Sequence, residues 1–571
     1  MQIQNIAFGS GEHPSLYFRG GSLRDNVIFI QAGERVSFDT YFGSFTYTKY
    51  RDYTRISSVT VSGKIEGEAE IMLSTYDGTE ERVVKRGQFT GDFSLSVNLD
   101  ELPEKAFLYP VINAKRNTTL ICASYDAEAE ENDCSFAIAI CTYKREEYVK
   151  RNLEILSQAG LEKIKKIIVV DNGNTLKGEL LAAPRAEIFP NLNYGGSAGF
   201  TRGIMEALAG GFSHVILMDD DIEIFPEALE RMTVFASILK EEYENAHFSF
   251  AMLTASRPYI QYEKGALWNG SHIESLNSGL DVRERSSLMK NLDDGPIGYG
   301  AWWCFSLPLS DVDKFGLPLP LFIKFDDVEY GTRTCRSSPI ITMSGMAVSH
   351  ADFDAKYSMH LEYYTVRNQL IMLAAHKKQS AFGCILRLMK VSAKHLFLYR
   401  YDAMPIILRA FRDFLLGADF IMEKDAEKLN REIMAMSPPA VPLSSMEDWD
   451  PAAKSNYTPA NKNAFLLAVK IFTLGGHIIP NVFLKRKVAY APLATAKVGD
   501  CFLYKNTIQY QTGSDTGYCF KKNSFRFFKA FFSCIGMSFK IIFKYRKSAR
   551  SYTKNFAKLT SLDFWKKYLN L

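Results

Sequence analysis

Three adjacent carboxylates, Asp219-Asp220-Asp221, follow the apolar run Val215-Ile216-Leu217-Met218. Like charges this close repel one another, and at a strand end shielded from water the repulsion is costly. A divalent cation removes the conflict. Alternate residues of an extended segment point the same way, so Asp219 and Asp221 can approach one metal or the phosphates it carries. Oxygen-rich ligation favours Mg²⁺ or Mn²⁺ over zinc. An acidic surface turn would explain the triplet alone; its place directly after a buried strand favours the metal.

Four further groups could join such a site. Asn193-Tyr194-Gly195-Gly196-Ser197-Ala198-Gly199 precedes a helical pattern but fits neither the dinucleotide nor the P-loop fingerprint. Small residues there would let a ligand approach backbone N–H groups, and Arg202, expected on the first helical turn, could meet a diphosphate. Asp326-Asp327, after the apolar run Phe322–Phe325, offers a general base or simply a favourable helix start. His350 closes the run Gly345–Ser349 and would suit Mn²⁺ beside carboxylates, or serve structure alone. Trp302-Trp303, preceded by Gly298-Tyr299-Gly300, could give a sugar a flat platform or pack into a core.

Elements must gather these residues. Phe136–Cys141, Ile167–Val170 and Val215–Met218 read as buried strands. Between them, Val149, Leu153 and Leu156 mark one helix and Phe200–Leu208 another. Alternating strands and helices indicate a doubly wound parallel α/β sheet, whose ligands bind beyond the carboxyl ends of the strands. The loops to watch are therefore 142–145, 171–174 and 219–221. Residues 1–133 carry short alternating runs (Val36–Phe42, Val59–Val61, Ala69–Leu73) with turns at Asp77-Gly78 and Gly91-Asp92, the pattern of a β-sandwich. Beyond Leu361 the chain turns helical, with a long helix expected over Leu361–Lys377 and a loop or linker at 438–460.

Composition bounds the rest. A chain of 571 residues, 47% hydrophobic and 23% charged, is neither disordered nor a disulfide-stapled miniprotein. Nine cysteines without a CxxC pair read as reduced thiols of a cytosolic protein. No secretory signal opens the sequence, and Ala464–Phe483, broken by Lys470, Gly475-Gly476 and Pro480, reads as a buried helix and turn. The formal charge of +4 is an average. Residues 521–571 hold thirteen Lys/Arg against Asp563, a net of +12, and the other 520 residues sum to −8. In that tail Phe525, Phe528, Phe532, Ile535, Phe539 and Ile542 recur at helical spacing beside cations. Such a helix would suit an anionic membrane surface or pack on protein; nucleic acid is not the expected partner.

The ordered set TYKR, VDNG, NYGGSAG, MDDD, YGAWW, FIKFDDVEYG and SH resembles metal-dependent, inverting family 2 glycosyltransferases of the GT-A fold. More closely it is similar to bacterial galactofuranosyltransferases of the galactan-polymerising kind. VSFDTYFGSF in the β region extends the likeness over about residues 30 to 375. The resemblance implies a UDP-galactofuranose donor and, as acceptor, a hydroxyl of a cell-surface glycan or lipid-linked precursor. It places Arg145, Asp171, Asn193 and Asp220 by the nucleotide-sugar, with Arg202 near its diphosphate. Asp219, Asp221 and His350 would hold Mn²⁺ or Mg²⁺ and Asp327 would be the base. Asp326, Tyr299, Trp302 and Trp303 would shape the acceptor side. Phe353 and Thr365 depart from the polymerase pattern, where Trp and His stand. A homo-oligomer is also implied.

The expected architecture is multidomain: a β-sandwich at 1–133, a GT-A (Rossmann-like) domain at 134–375, a mainly α-helical domain at 376–520 and the basic tail at 521–571. The enzyme is expected in the cytoplasm, peripheral at the inner face of the membrane. Two other readings remain: another nucleotide-sugar donor, such as a rhamnosyl one, or a non-catalytic carbohydrate-binding protein.

Overall fold

The computed structural model describes the chain except residues 10–11, 159–160, 178–182, 294, 353–356 and 460–463. It forms two compact units, one of residues 1–318 with 327–351, the other of 319–326 with 352–571.

The first unit begins with a β-sandwich of two antiparallel sheets. One runs Ser22–Arg24, Val27–Ile30, Thr118–Asp126, Ser58–Glu66, Asp92–Asn98; the other runs Arg35–Ser37, Phe107–Ala114, Ala69–Tyr76, Glu81–Phe89. The expected turns fall between Ala69–Tyr76 and Glu81–Phe89 and between Glu81–Phe89 and Asp92–Asn98. The run Val36–Phe42, expected as one strand, leaves the sheet after Ser37. Phe38, Tyr41, Phe42 and Phe45 are then all buried, an irregular segment filling the core rather than alternating across a sheet. Phe42 stacks on Tyr17 and meets Phe225 at 5.0 Å, ahead of the helix Pro226–Ser237. From that helix buried Arg231 donates to the carbonyls of Phe42 (2.8 Å) and Ser344 (2.6 Å), tying sandwich to catalytic sheets. Charges buried this deeply are kept only where such acceptors exist.

The central sheet orders its strands Ala186–Pro190, Ile164–Asp171, Phe136–Thr142, His214–Asp219, Cys304–Pro308, His247–Ser249, Ile340–Ile341. Its first four strands are parallel, as expected; Cys304–Pro308 then runs antiparallel to His214–Asp219, so the sheet is mixed rather than wholly parallel. Val149, Leu153 and Leu156 are buried on the helix Glu146–Gln158. The helix predicted over Phe200–Leu208 starts earlier and spans Gly195–Ala209. Gly199 and Gly203 share one face of it, where a Cβ would stand 2.1 Å from Cys141 Sγ and 2.5 Å from Ala139 Cβ. Gly199 of this motif therefore serves close helix–strand packing, while Gly195 starts the helix at a φ of 79°. A second sheet, of Glu223–Ile224, Ala347–His350, Ala251–Thr254, Arg257–Glu263 and Leu280–Asp281, completes the unit. The N-terminal β-sandwich, the GT-A domain and the helical C-terminal region make up the architecture.

The second unit joins the helices Leu361–Ala375, Ala381–Phe397 and Ala403–Phe414 to the long C-terminal helix Ser524–Leu559. It also holds a four-stranded sheet, and the presumed linker contributes Val441–Pro442 to it, with Leu443 buried against Ile508 and Tyr510. The loop 319–326 belongs to this unit with the helical residues. Ala464–Phe483, expected buried, exposes much of its apolar surface, including Phe472 (81%) and Val482 (82%). Among the described residues no helix is long and apolar enough to cross a membrane. All nine cysteines are free thiols.

Candidate active site

Parallel register brings the watched loops to one edge. Cys141 pairs with Asp219, and Thr142 pairs with Asp171, so three strands end side by side. Within the acidic triplet the three carboxylates part ways. Asp220 is buried and spends its oxygens inward: Oδ2 accepts from Thr142 Oγ1 (2.7 Å) and Oδ1 from Arg145 Nη1 (2.9 Å). Burial pushes its carboxyl above the usual range, with Arg145 and Thr142 opposing. It holds the loop. Asp219 and Asp221 are left facing His350, and their ligand atoms and the imidazole lie within 4.8 Å of one another.

The chemistry of that trio fits a divalent cation. His350 donates from Nδ1 to the Ala351 carbonyl (2.6 Å), which points Nε2 at Asp221 Oδ1, 3.2 Å away. A neutral imidazole oriented by a carbonyl is the usual state of a metal-ligating histidine. Strand pairing delivers it, since Thr254 and His350 end two parallel strands. Arg145 Nη1 also reaches Asp221 Oδ2 at 2.8 Å; burial disfavours its charge, but the three aspartates more than restore it. Half of its side chain remains exposed, so the guanidinium could turn to an anionic ligand.

Other predicted residues are placed less simply. The Asp171 carboxylate is buried in its own turn, accepting from the N–H groups of Gly173 (2.8 Å), Thr175 (2.7 Å) and Leu176 (2.8 Å). It shapes the loop rather than facing it. Asn193 is half-buried in the turn before the helix Gly195–Ala209. Arg202 lies two turns into that helix, not on its first turn, because the helix begins at Gly195; its Nε donates to Glu206 at 2.6 Å and its Nη1 is buried without a partner. Trp302 and Trp303 are both buried, so no broad platform is open to solvent. Trp303 Nε1 donates to the Phe250 carbonyl (2.8 Å), a core contact, whereas Trp302 Nε1 is buried without a partner.

The segment Tyr299–Trp303 nevertheless links both acidic clusters. The Asp219 N–H donates to the Trp303 carbonyl (3.0 Å). Trp302 packs edge-on against Tyr330 of the helix Asp326–Thr334. On that helix a Cβ at Gly331 would fall 2.4 Å from Tyr299 Cβ, so only glycine allows the approach. Asp327 Oδ1 accepts from the Val328 N–H (2.8 Å), and Asp326 is half-buried at the helix start. Burial, Asp327 and Glu263 together push the Tyr299 hydroxyl far above its usual range.

Glu263 is the residue that motif reading missed. It ends the strand Arg257–Glu263, accepts from Ser275 Oγ (2.5 Å), and is held by burial at about 7, with Asp327 adding to the rise. A lone acidic residue closing an alternating strand was the only local sign of it. The second omission is Asn368. The loop before Asp326 carries Phe322, Lys324 and Phe325 at φ of 74°, 66° and 68°, left-handed backbone that such residues rarely adopt. Asn368 Nδ2 donates to the carbonyls of Leu321, Ile323 and Lys324 at 2.8–2.9 Å, and Arg367 Nη2 to Leu321 (2.9 Å). Thr365, which departs from the polymerase pattern, is half-buried two residues earlier; Phe353, the other departure, lies outside the described residues.

Comparison with known proteins agrees with the motifs. Residues 21–128 match the model of the galactofuranosyltransferase 2 N-terminal family, and residues 137–249 match glycosyl transferase family 2. The galactofuranosyltransferase GlfT2 of Mycobacterium tuberculosis is 27% identical over 75% of this chain and 72% of its own. That of Mycolicibacterium smegmatis is 25% identical over 73% and 70%. A mannosyltransferase from Pyrobaculum calidifontis, solved with GDP-mannose and Mn²⁺, covers 54% of this chain and 83% of its own at 12% identity. Its TM-score of 0.30 is too low to bear on function.

Proposed function

We propose that this chain, a glycosyltransferase, moves galactofuranose from UDP-galactofuranose to a hydroxyl of a cell-surface glycan or its lipid-linked precursor, with inversion. The observation that carries the reading is the segment Tyr299–Trp303, joined to the acidic triplet through Asp219 and to the helix of Asp327 through Gly331 and Tyr330. In this reading Asp219, Asp221 and His350 would hold Mn²⁺ or Mg²⁺, which when bound would supply positive charge for the diphosphate leaving group. Arg145 swings from Asp221 toward the nucleotide-sugar, which rests over Asn193 and the loops shaped by Asp171 and Asp220. Arg202 supports that side from within its helix. Tyr299, Trp302, Trp303 and Asp326 frame the acceptor. Asp327 takes the proton from the acceptor hydroxyl as its oxygen bonds to the anomeric carbon and the bond to the diphosphate breaks, releasing UDP. Attack from the face opposite the leaving group inverts the centre.

The working parts are the β domain to 133, the catalytic domain to 375, the helical domain to 520 and the basic tail beyond it. Exposed Phe525, Phe532, Phe539 and Ile542 on the tail helix support contact with the inner face of a membrane. Assembly into a homo-oligomer belongs to the same proposal.

A donor screen tests the reading. Purified chain is given UDP-galactofuranose, UDP-galactopyranose or a rhamnosyl nucleotide with a galactofuranosyl acceptor, with Mn²⁺ or with EDTA. Expected are UDP release from the first donor alone, product of opposite anomeric configuration, and loss of turnover in EDTA. Turnover only with another donor overturns the substrate, and retained configuration overturns the mechanism.

A further inference from the structure

The helical unit contains a cavity of about 740 Å³ lined by Lys377, Arg546, Arg550 and Lys554, with no carboxylate in its wall. Arg546, Arg550 and Lys554 follow at steps of four on the helix Ser524–Leu559, so they form one row, and like charges at that spacing destabilise a helix. No acidic residue lies between Asp515 and Asp563 to relieve them. The opposite wall adds more positive potential, because Ala381 opens the helix Ala381–Phe397 and its dipole points its positive end there. The remaining lining sets the polar Gln379 and Thr553 beside Ala374, Ala549 and the Tyr545 ring.

The two helices are fixed in register. Tyr545 donates to the Gln379 carbonyl (2.8 Å), and Cys534 Sγ lies 3.4 Å from Ser392 Oγ, so they run antiparallel. Directly beyond the cavity along them stand exposed apolar residues: Phe382 and Leu386 on one helix, Phe539 and Phe543 on the other. A polyvalent anion joined to an apolar chain matches this sequence of surfaces.

We propose that this cavity binds a phosphate or diphosphate group, carried as the headgroup of a lipid. Arg546 and Arg550 would grip its oxygens, and Lys377 and Lys554 would add charge. The lipid source rests on the membrane reading above; the anion site itself does not.

The test uses the full chain in EDTA, which leaves the aspartate–histidine site idle. Phenylglyoxal labelling of Arg546 and Arg550, mapped by peptide mass, is followed with inorganic pyrophosphate and with phosphatidylcholine vesicles containing phosphatidic acid. Vesicle affinity is compared for R546Q/R550Q and for K540Q/K544Q, which removes equal charge from the same helix outside the cavity. Expected are protection of both arginines and a loss about tenfold greater for R546Q/R550Q. Protection by pyrophosphate without protection by vesicles supports the site and assigns it to free phosphates, at the expense of the membrane reading. Equal losses for the two pairs, with no protection in either arm, overturn the proposal. The labelling needs no variant, so a folding defect cannot decide the outcome.

Discussion

The two acidic clusters reach their places by opposite means. Asp219-Asp220-Asp221 follows a regular strand whose register fixes it, and its charges are already divided among Thr142, Arg145 and His350. Asp326-Asp327 follows three residues of left-handed backbone that no local preference would choose, held by one amide from a helix over forty positions later. The first site is set by secondary structure and the second by a tertiary clamp. A cation site tolerates this, because the ion itself gathers its ligands; a base has only its scaffold to aim it.

The sharpest way to break the contrast is Asp327→Asn. If this carboxylate is the base, kcat should fall by about 10²–10⁴-fold, while UDP binding, measured by calorimetry with Mn²⁺, stays as in the parent. Turnover near the parental rate would leave the second cluster without its chemical role.

A smaller effect is expected from the clamp. Asn368→Ala leaves the loop carbonyls of Ile323 and Lys324 without their amide donor and should cost about 2–3 kcal/mol in denaturant unfolding. At temperatures where the variant is folded, kcat should drop by about tenfold with the donor KM unchanged. Parental stability and kcat together would mean that the strained loop holds itself.

The smallest effect concerns Glu263. Burial favours its uncharged form, so the folded chain keeps the proton to about 7 where the unfolded chain loses it near 4.5. The stability this residue contributes is present in full below that lower value and is lost as pH rises through about 7. Glu263→Gln has no proton to lose. Its melting temperature should exceed the parent's at pH 8, by the equivalent of roughly 3 kcal/mol at most, and approach it below about pH 4.5. An unchanged difference across that range would take Glu263 out of the electrostatics around Asp327.

Much of the first cluster was legible because its signals are local. An apolar strand run followed by carboxylates states both the element and its exit, and the helix of Val149, Leu153 and Leu156 declares its buried face by spacing alone. Where spacing misled, packing was the reason. Val36–Phe42 alternates like a strand yet fills a core in irregular form, and Gly199 and Gly203 serve contact with Cys141 and Ala139. The tail stripe from Phe525 to Ile542 was visible, but its neighbour on the same helix, Phe527 through Tyr545, is the face that packs. A helix with apolar residues on both sides does not say which side is inside.

By itself, then, the sequence determined the strand-end loops, the carboxylates they present, the sandwich and the basic helix, since each follows from residue type and period over a few turns. Only the tertiary structure decided that Glu263 stands by Asp327 and that Asn368 holds the loop before it. Those relations join residues far apart in the chain, and pattern within a window cannot carry the distance between two windows.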